Sequence, residues 1–124
     1  MFVLDLERKL LLNELHKIPK VKSVMIIEER GSLLEHVSNG VFEKEHPVSE
    51  LRYIAKLIAL RYKIAEFHKI LDGLELTVNM FRNDMMITTS FDEILLSLIL
   101  EKGVNVNKTI DALKSALLTL EIST

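Results

Sequence analysis

The stretch VSELRYIAKLIALRYKIAEFHKIL, residues 48–71, decides the fold because it predicts one helix that is apolar on two opposite sides. At about 100° per residue, one side, called here the Tyr53 stripe, holds Tyr53, Leu57, Leu60, Ile64, Phe67 and Leu71. The opposite side, the Leu51 stripe, holds Leu51, Ile54, Ala55, Ile58, Tyr62 and Ala65. A surface helix needs one apolar stripe, facing its own core. The second stripe therefore predicts a second covering surface.

That cover is predicted to be another protein subunit. The alternative is the chain's own loop at residues 38–46, whose large apolar residues are only Val41 and Phe42. Spacing leaves open which stripe faces the partner. We place the Leu51 stripe there, because Ala55 and Ala65 would let two helix backbones approach closely. An obligate or tight dimer is the expectation.

Outward from this helix, the apolar spacing changes cleanly along the chain. It predicts a helix at 3–18, strands at 21–28 and 33–37, a polar loop at 38–46, strands at 74–81, 85–90 and 94–100, and a final helix after Gly103. The order αββαβββα predicts one α/β domain over residues 1–124. Strands 21–28 and 94–100 are apolar on both faces, which predicts central positions with helices on each side of the sheet.

The strand at 74–81 alternates and has one half-polar face, which places it near a sheet edge. An uncovered edge strand is an aggregation liability. Two copies meeting about a twofold axis, helix against helix and edge against edge, would cover both features. The predicted interface therefore adds Leu76, Val78 and Met80 to the Leu51 stripe.

Composition narrows the function. The net charge of −2 gives no electrostatic case for a nucleic-acid partner, and the lack of cysteine removes disulfides and thiol chemistry. Charges at Asp5, Glu7, Arg8 and Lys9 interrupt the apolar core that a signal peptide would need. No run approaches the ~20 apolar residues that span a bilayer. We expect a cytoplasmic protein without direct membrane insertion.

No motif for catalysis or cofactor binding stands out. Ser38, His36 or His46 and Asp72 could be assembled into a triad, but no nucleophile elbow is present. A loop that is simply solvated is favoured over a metal site built from His36, Glu43, Glu45 and His46. No phosphate-binding loop appears, so the chain is predicted to bind no nucleotide, cofactor or metal and not to be an enzyme.

A basic wedge beside the two stripes is the remaining candidate site. Arg52, Lys56 and Lys63 gather there and could meet an acidic partner surface. Such a wedge is more often simply solvated.

The chain resembles the Roadblock family, the dynein light-chain type, over nearly all of its length. The carriers are Leu11-Leu12 and Leu15 in the first helix, the IPKVKSV entry at 18–24, EERG at 28–31, the alanines at 55, 59 and 65, LDG at 71–73, and Gly103. Lys20 and Glu28 stand where glycine and aspartate are common in the family. Within the family, the chain is similar to the bacterial Mgl-type polarity regulators and to archaeal single-domain relatives.

The resemblance implies a profilin-like, three-layer sandwich with a five-stranded antiparallel sheet. It also implies a homodimer, or a dimer with a second Roadblock-type subunit, that binds a Ras-like small GTPase and regulates or scaffolds it. Mgl-type dimers stimulate GTP hydrolysis without donating an arginine finger, while other members act in exchange or as scaffolds. The alternative is a longin-like trafficking adaptor or small-ligand sensor that has no GTPase partner. A small-GTPase gene beside this one would favour the first function.

Overall fold

The computed structural model describes residues 5–64, 69–71, 74–91 and 93–123. The elements follow the chain as α1 (Asp5–His16), β1 (Val21–Glu28), β2 (Leu33–Ser38), α2 (Gly40–Glu45), α3 (Val48–Ile64), β3 (Lys69–Leu71), β4 (Leu74–Met80), β5 (Asp84–Phe91), β6 (Ile94–Glu101) and α4 (Val106–Ser123).

One antiparallel sheet forms the middle layer, with strand order β2-β1-β6-β5-β4-β3. It contains the five strands expected from the sequence and a short sixth strand, β3. The central positions of β1 and β6 confirm the prediction from their apolar runs. Every residue from Ile94 to Leu100 is buried, because helices cover both faces of the sheet there.

Two apolar clusters, one on each face of the sheet, confirm the three-layer sandwich. On one face, α1 and α4 contribute Leu11, Leu12, Leu15, Leu113 and Leu117, which pack with strand residues such as Ile26, Ile87 and Leu98. On the other face, α2 and α3 contribute Phe42, Leu51, Ala55, Ile58 and Ala59, which pack with Met25, Ile27, Met86, Leu95 and Ile99. The terminal helices thus share one face and the long helix lies on the other.

The predicted helix at 48–71 is too long. α3 is described to Ile64, residues 65–68 lie outside the described part, and Lys69–Leu71 forms the strand β3. Lys69 lies opposite Leu76, and Leu71 opposite Leu74. The apolar spacing of this segment also suits a helix, but pairing with β4 makes it a strand.

The predicted loop at 38–46 contains the short helix α2. Asn39 begins it, because its side-chain oxygen accepts a 2.8 Å hydrogen bond from the Phe42 backbone N–H. The Phe42 side chain is buried against the α3 side of the sheet. Of the two large apolar residues in this segment, Phe42 therefore packs in the chain's own core, while Val41 is exposed.

Candidate protein interaction site

The Leu51 stripe of α3 faces the chain's own sheet. Leu51, Ala55 and Ile58 are buried, and the partly buried Ile54 and Tyr62 pack against the same cluster. The prediction that this stripe forms a subunit interface is therefore wrong for Leu51, Ala55 and Ile58, which the sheet already covers. Ala65 lies outside the described residues.

The Tyr53 stripe lies on the opposite side of α3 and faces outward. Tyr53 is 65% exposed and Leu60 is 55% exposed, and Leu57 between them is also exposed. Phe67 lies outside the described residues. An aromatic and two leucines on one helix face form a contiguous apolar surface, which in soluble proteins marks a contact site. The uncovered stripe that the sequence predicts is this one.

Small side chains explain why the Leu51 stripe, and not the Tyr53 stripe, lies on the sheet. Ala55 and the neighbouring Ala59 are almost fully buried, and both belong to the cluster that contains Met25 and Ile27 of β1. Alanines let the helix backbone approach the strands, while larger side chains at these positions would hold it away. The close backbone approach that we assigned to a partner is made inside the chain.

The flank of α3 nearer to β4 and β5 borders two cavities. The first, of about 310 Å³, lies between α3 residues such as Ile54, Leu57 and Arg61 and the strand-end residues Phe81 and Asp84. The second, of about 240 Å³, is lined by Ile58, Arg61, Tyr62, Thr77, Asn79, Met86 and Thr88. Both are at or below the lower end of the ~300–1,000 Å³ typical of small-ligand pockets, so they suit side chains of a protein partner.

Only part of β4 is an open edge. Its first half is paired with β3, which reaches Leu76, and the Leu76 side chain is fully buried. Thr77–Met80 has no partner on the side away from β5 among the described residues. The prediction that residues 74–81 form an edge strand is therefore wrong for residues 74–76, which pair with β3. The predicted contact of Leu76 with a partner is wrong as well, because its side chain is buried within one copy. Met80 is exposed, and Val78 is half-buried against the α1–α4 cluster.

The basic residues Arg52, Lys56 and Lys63 are all exposed, and none has an ion-pair partner among the described residues. They lie on the flank of α3 that faces the β1–β2 hairpin. Gly31 of that hairpin, with φ of +106°, passes so close to α3 that an added Cβ would lie 3.1 Å from the Lys56 Cα. The basic flank and the two cavities are thus on opposite sides of α3.

A charged group lies at the rim of the larger cavity. The Lys22 ammonium is 2.6 Å from an Asp84 carboxylate oxygen, and this hydrogen bond raises the pKa of Lys22. His46 Nδ1 lies 2.8 Å from Glu50 Oε1. The first pair links β1 to the start of β5, and the second links the end of α2 to the first turn of α3. The Phe42 and His46 rings lie with their centroids 4.5 Å apart, tilted by 37°.

The residues weighed for catalysis or metal binding are not brought together. The Ser38 and Ser23 hydroxyl groups are hydrogen-bonded to each other across the β1–β2 ladder, with 2.8 Å between their oxygens. Asp72 lies outside the described residues. Within the described ranges, no three His, Asp or Glu side chains are grouped as metal ligands. In the same ranges, no helix is both long enough and apolar enough to cross a membrane.

Comparisons with known proteins find similarity in structure but not in sequence. No protein-family model matches the chain, and no curated protein matches it by sequence. Among solved structures, a Roadblock/LC7 domain from Streptomyces avermitilis superposes with a TM-score of 0.68 at 11% identity, covering 93% of this chain and 94% of that chain. The gliding protein MglB of Thermus thermophilus gives 0.66 at 17% identity, covering 89% and 82%. An MglB in a tetrameric arrangement gives 0.67 at 17% identity, covering 97% and 90%.

Proposed function

We propose that this chain, which has the Roadblock fold, is a non-catalytic platform that dimerises and binds and regulates or scaffolds a Ras-like small GTPase. The observation that carries the proposal is the outward-facing Tyr53 stripe beside the open half of β4, on a chain with this fold. The GTPase partner follows from the resemblance to Mgl-type regulators and the likeness to MglB structures.

The second copy, or a second Roadblock-type subunit, covers the Tyr53 stripe and fills the cavities between α3 and β4. Leu57 is central, because it belongs to the stripe and also lines the larger cavity with Phe81. A specific interface buries ~1,600 Å² in total, which needs a helix face and a strand edge together. Light scattering should therefore show a dimer at micromolar concentration, and a monomer there would contradict this part of the proposal.

The GTPase contacts a surface that dimerisation leaves free. Arg52, Lys56 and Lys63 meet this condition, because they lie on the hairpin side of α3, away from the cavities and β4. Exposed lysines and arginines act mainly on the association rate, through charge complementarity with an acidic partner. Reversing one of them should slow association and reduce its dependence on salt.

The direct test is capture from lysate of the source cell. The purified protein is immobilised, and the lysate is supplemented with a non-hydrolysable GTP analogue or with GDP. We expect mass spectrometry to identify a small GTPase whose recovery depends on the nucleotide. Lys56→Glu should reduce that recovery, while Lys108→Glu, at an exposed lysine of α4, should not. Recovery of other proteins with no GTPase among them would favour the adaptor alternative.

The proposal also states that the chain has no chemistry of its own. Purified protein incubated with GTP or ATP should release no phosphate above the buffer rate. Turnover that a point substitution in this chain abolishes would contradict the assignment as a non-enzyme. Turnover that appears only when the captured GTPase is added would instead support a regulatory role.

A further inference from the structure

A cavity of about 370 Å³ lies at the end of the sheet where β1 begins and β6 ends. It is lined by the turn after α1, by the end of β6 with the turn that follows, and by the first turns of α4, all of which belong to the described part of the chain. We call it the α1–α4 cavity. Its volume exceeds that of either cavity beside α3 and falls within the ~300–1,000 Å³ typical of small-ligand pockets.

The floor of the α1–α4 cavity is apolar. Ile18 is buried in the cluster beneath α1 and α4, and Val104 and Ala112 are partly buried against the same cluster. Thr109 is also buried, and its hydroxyl donates a 3.0 Å hydrogen bond to the Asn105 carbonyl. Since the one hydroxyl among the lining residues already has a partner, the floor favours an aliphatic group over a polar one.

The rim of the cavity is positively charged. Lys20, Lys102 and Lys108 line it and are exposed, and Glu101 is the single acidic residue of the lining. The Lys20 ammonium lies 3.8 Å from a Glu101 carboxylate oxygen. Lys102 and Lys108 have no ion-pair partner within the described ranges. Two ammonium groups beside an apolar floor are therefore available to an anion.

The backbone at Lys20 is strained. Its φ is +72°, in the left-handed region that glycine adopts freely and other residues avoid. The Lys20 carbonyl accepts a 3.2 Å hydrogen bond from the Glu101 N–H, which holds the turn against the end of β6. Glycine would suit the backbone better at this position. What the lysine adds is an ammonium group at the rim of the cavity.

We propose that the α1–α4 cavity binds an aliphatic carboxylate of medium chain length, with the chain on the apolar floor and the carboxylate between Lys102 and Lys108. A carboxylate has two acceptor oxygens and each ammonium group has three donors, so one anion satisfies both lysines. An alkyl chain suits the floor, because each buried methylene increases affinity about fourfold.

This site goes beyond the proposed function and is independent of it. The cavity borders the α1–α4 cluster, on the face of the sheet opposite α3. The surfaces assigned to the second copy and to the GTPase belong to α3 and to the edge at β4. The carboxylate and the protein partners therefore occupy separate surfaces.

Titration of the isotope-labelled full chain with octanoate, followed by nuclear magnetic resonance, tests the site. We expect saturable shifts of the amide signals of Ile18, Gly103 and Val104. Hexanoate should bind about tenfold more weakly, because it is two methylenes shorter. Octanol, which has the chain without the charge, should also bind about tenfold more weakly. No saturable shift with octanoate would overturn the proposal, as would equal affinity for octanol or for hexanoate.

Charge reversal separates this site from the GTPase surface. Lys108→Glu should raise the octanoate dissociation constant about fivefold, since a repulsive charge replaces an attractive one. Lys56→Glu, on α3, is the matched control and should leave octanoate binding unchanged. For GTPase recovery the expectation is reversed. Octanoate binding without any captured GTPase would keep the cavity site and remove the GTPase platform, and the opposite result would do the reverse.

Lys20→Gly tests the charged rim without damage to the fold. Glycine relieves the left-handed backbone, so the melting temperature should not fall. Octanoate should nevertheless bind about threefold more weakly, because an ammonium group is lost and the Glu101 carboxylate stays at the rim without it. A Lys20→Gly variant that binds octanoate as tightly as the natural chain would overturn the role of Lys20 in this site.

Discussion

As far as Ile64, the Tyr53 and Leu51 stripes are two apolar sides of one helix, α3, yet they lie in different environments. The Leu51 stripe, with the small Ala55 and neighbouring Ala59, packs on the sheet. The Tyr53 stripe carries larger side chains, of which Tyr53, Leu57 and Leu60 are exposed. Helical periodicity identifies both stripes, but the size of the side chains decides which one lies on the sheet. The small residues mark the intramolecular contact, and the large ones mark the surface left for a partner.

The two stripes are therefore expected to affect different free energies, that of unfolding and that of dimerisation. Side chains of the Leu51 stripe are covered in a single copy, so truncating them should reduce the free energy of unfolding. Side chains of the Tyr53 stripe are covered only on association, so changing them should raise the dimer dissociation constant. Substitutions on α3 and β4 should therefore separate the two stripes by experiment.

The largest effect is expected from Leu51→Ala or Ile58→Ala, which removes a buried side chain of the α3–sheet cluster. Such truncations typically cost about 2–5 kcal/mol, through lost apolar transfer and the cavity left behind. Urea denaturation followed by circular dichroism should show this loss at every protein concentration. Leu57→Ala, in the exposed stripe, is the matched control. Equal losses for the two leucines in a dilute, monomeric sample would end the distinction between the stripes.

The next effect concerns Leu60→Glu in the Tyr53 stripe. A carboxylate in the covered centre of an interface should cost about 2 kcal/mol or more of association, roughly thirtyfold in the dissociation constant. Sedimentation velocity across a dilution series measures this. Leu118→Glu on α4 is a close control, because Leu118 is 54% exposed and Leu60 is 55% exposed. A dimer weakened equally by both substitutions would indicate an interface elsewhere.

A smaller effect should come from Val78→Pro in the open half of β4. The Phe81 N–H donates to the Asp84 carbonyl of β5, and alternate residues of an antiparallel strand bond to the same neighbour, so the Val78 N–H points away from β5. Proline at Val78 therefore removes a donor on the side of the proposed partner and leaves the β4–β5 ladder bonds in place. With one donor lost per copy, at about 0.5–1.5 kcal/mol each, the dimer should weaken by about 1–3 kcal/mol. The same change at Leu34, beside the register shift of β2, should weaken it less. If Val78→Pro lowered the unfolding free energy of the monomer instead, the strand would have an intramolecular partner on that side.

Much of this architecture is predictable from the sequence, and the remainder is not, for physical reasons. The uninterrupted apolar runs of β1 and β6 predict central strands, because only a strand covered on both faces tolerates them. The direction of the two stripes of α3 is not encoded in spacing, since a helical period fixes angles between residues and not the position of the sheet. β3 is hidden for another reason: Lys69–Leu71 suits a helix locally, and only its pairing with β4 makes it a strand.

The site divides in the same way. The sequence predicts an uncovered apolar stripe beside an edge strand. The stripe is exposed at Tyr53, Leu57 and Leu60, whereas β3 covers β4 as far as Leu76. The outward direction of the Val78 and Met80 backbone groups could not be predicted, because it depends on which residues close the β4–β5 turn. Nor could the point at which β3 stops pairing with β4 among the described residues. The composition of residues 74–81 carries no signal for either.

The smallest effect uses the two tyrosines of the chain, one on each stripe of α3. Burial raises the pKa of Tyr62, the nearby Glu75 carboxylate raises it further, and a backbone hydrogen bond from Ser90 opposes both. Because the folded pKa lies above the unfolded value of 10.0, the Tyr62 contribution to stability is fully present below pH 10.0 and is lost as the pH rises through the folded pKa.

Tyr53→Phe leaves Tyr62 as the single tyrosine, so ultraviolet absorbance of tyrosinate then reports on the Leu51 stripe alone. The folded variant should titrate with a midpoint above 10.0, and the midpoint should fall when the protein is unfolded in guanidinium. Tyr62→Phe should correspondingly flatten the loss of unfolding free energy above that pH. A folded midpoint at or below 10.0 would show that water reaches the Tyr62 hydroxyl. The boundary between the covered and uncovered sides of α3 would then lie closer to the sheet than Tyr62.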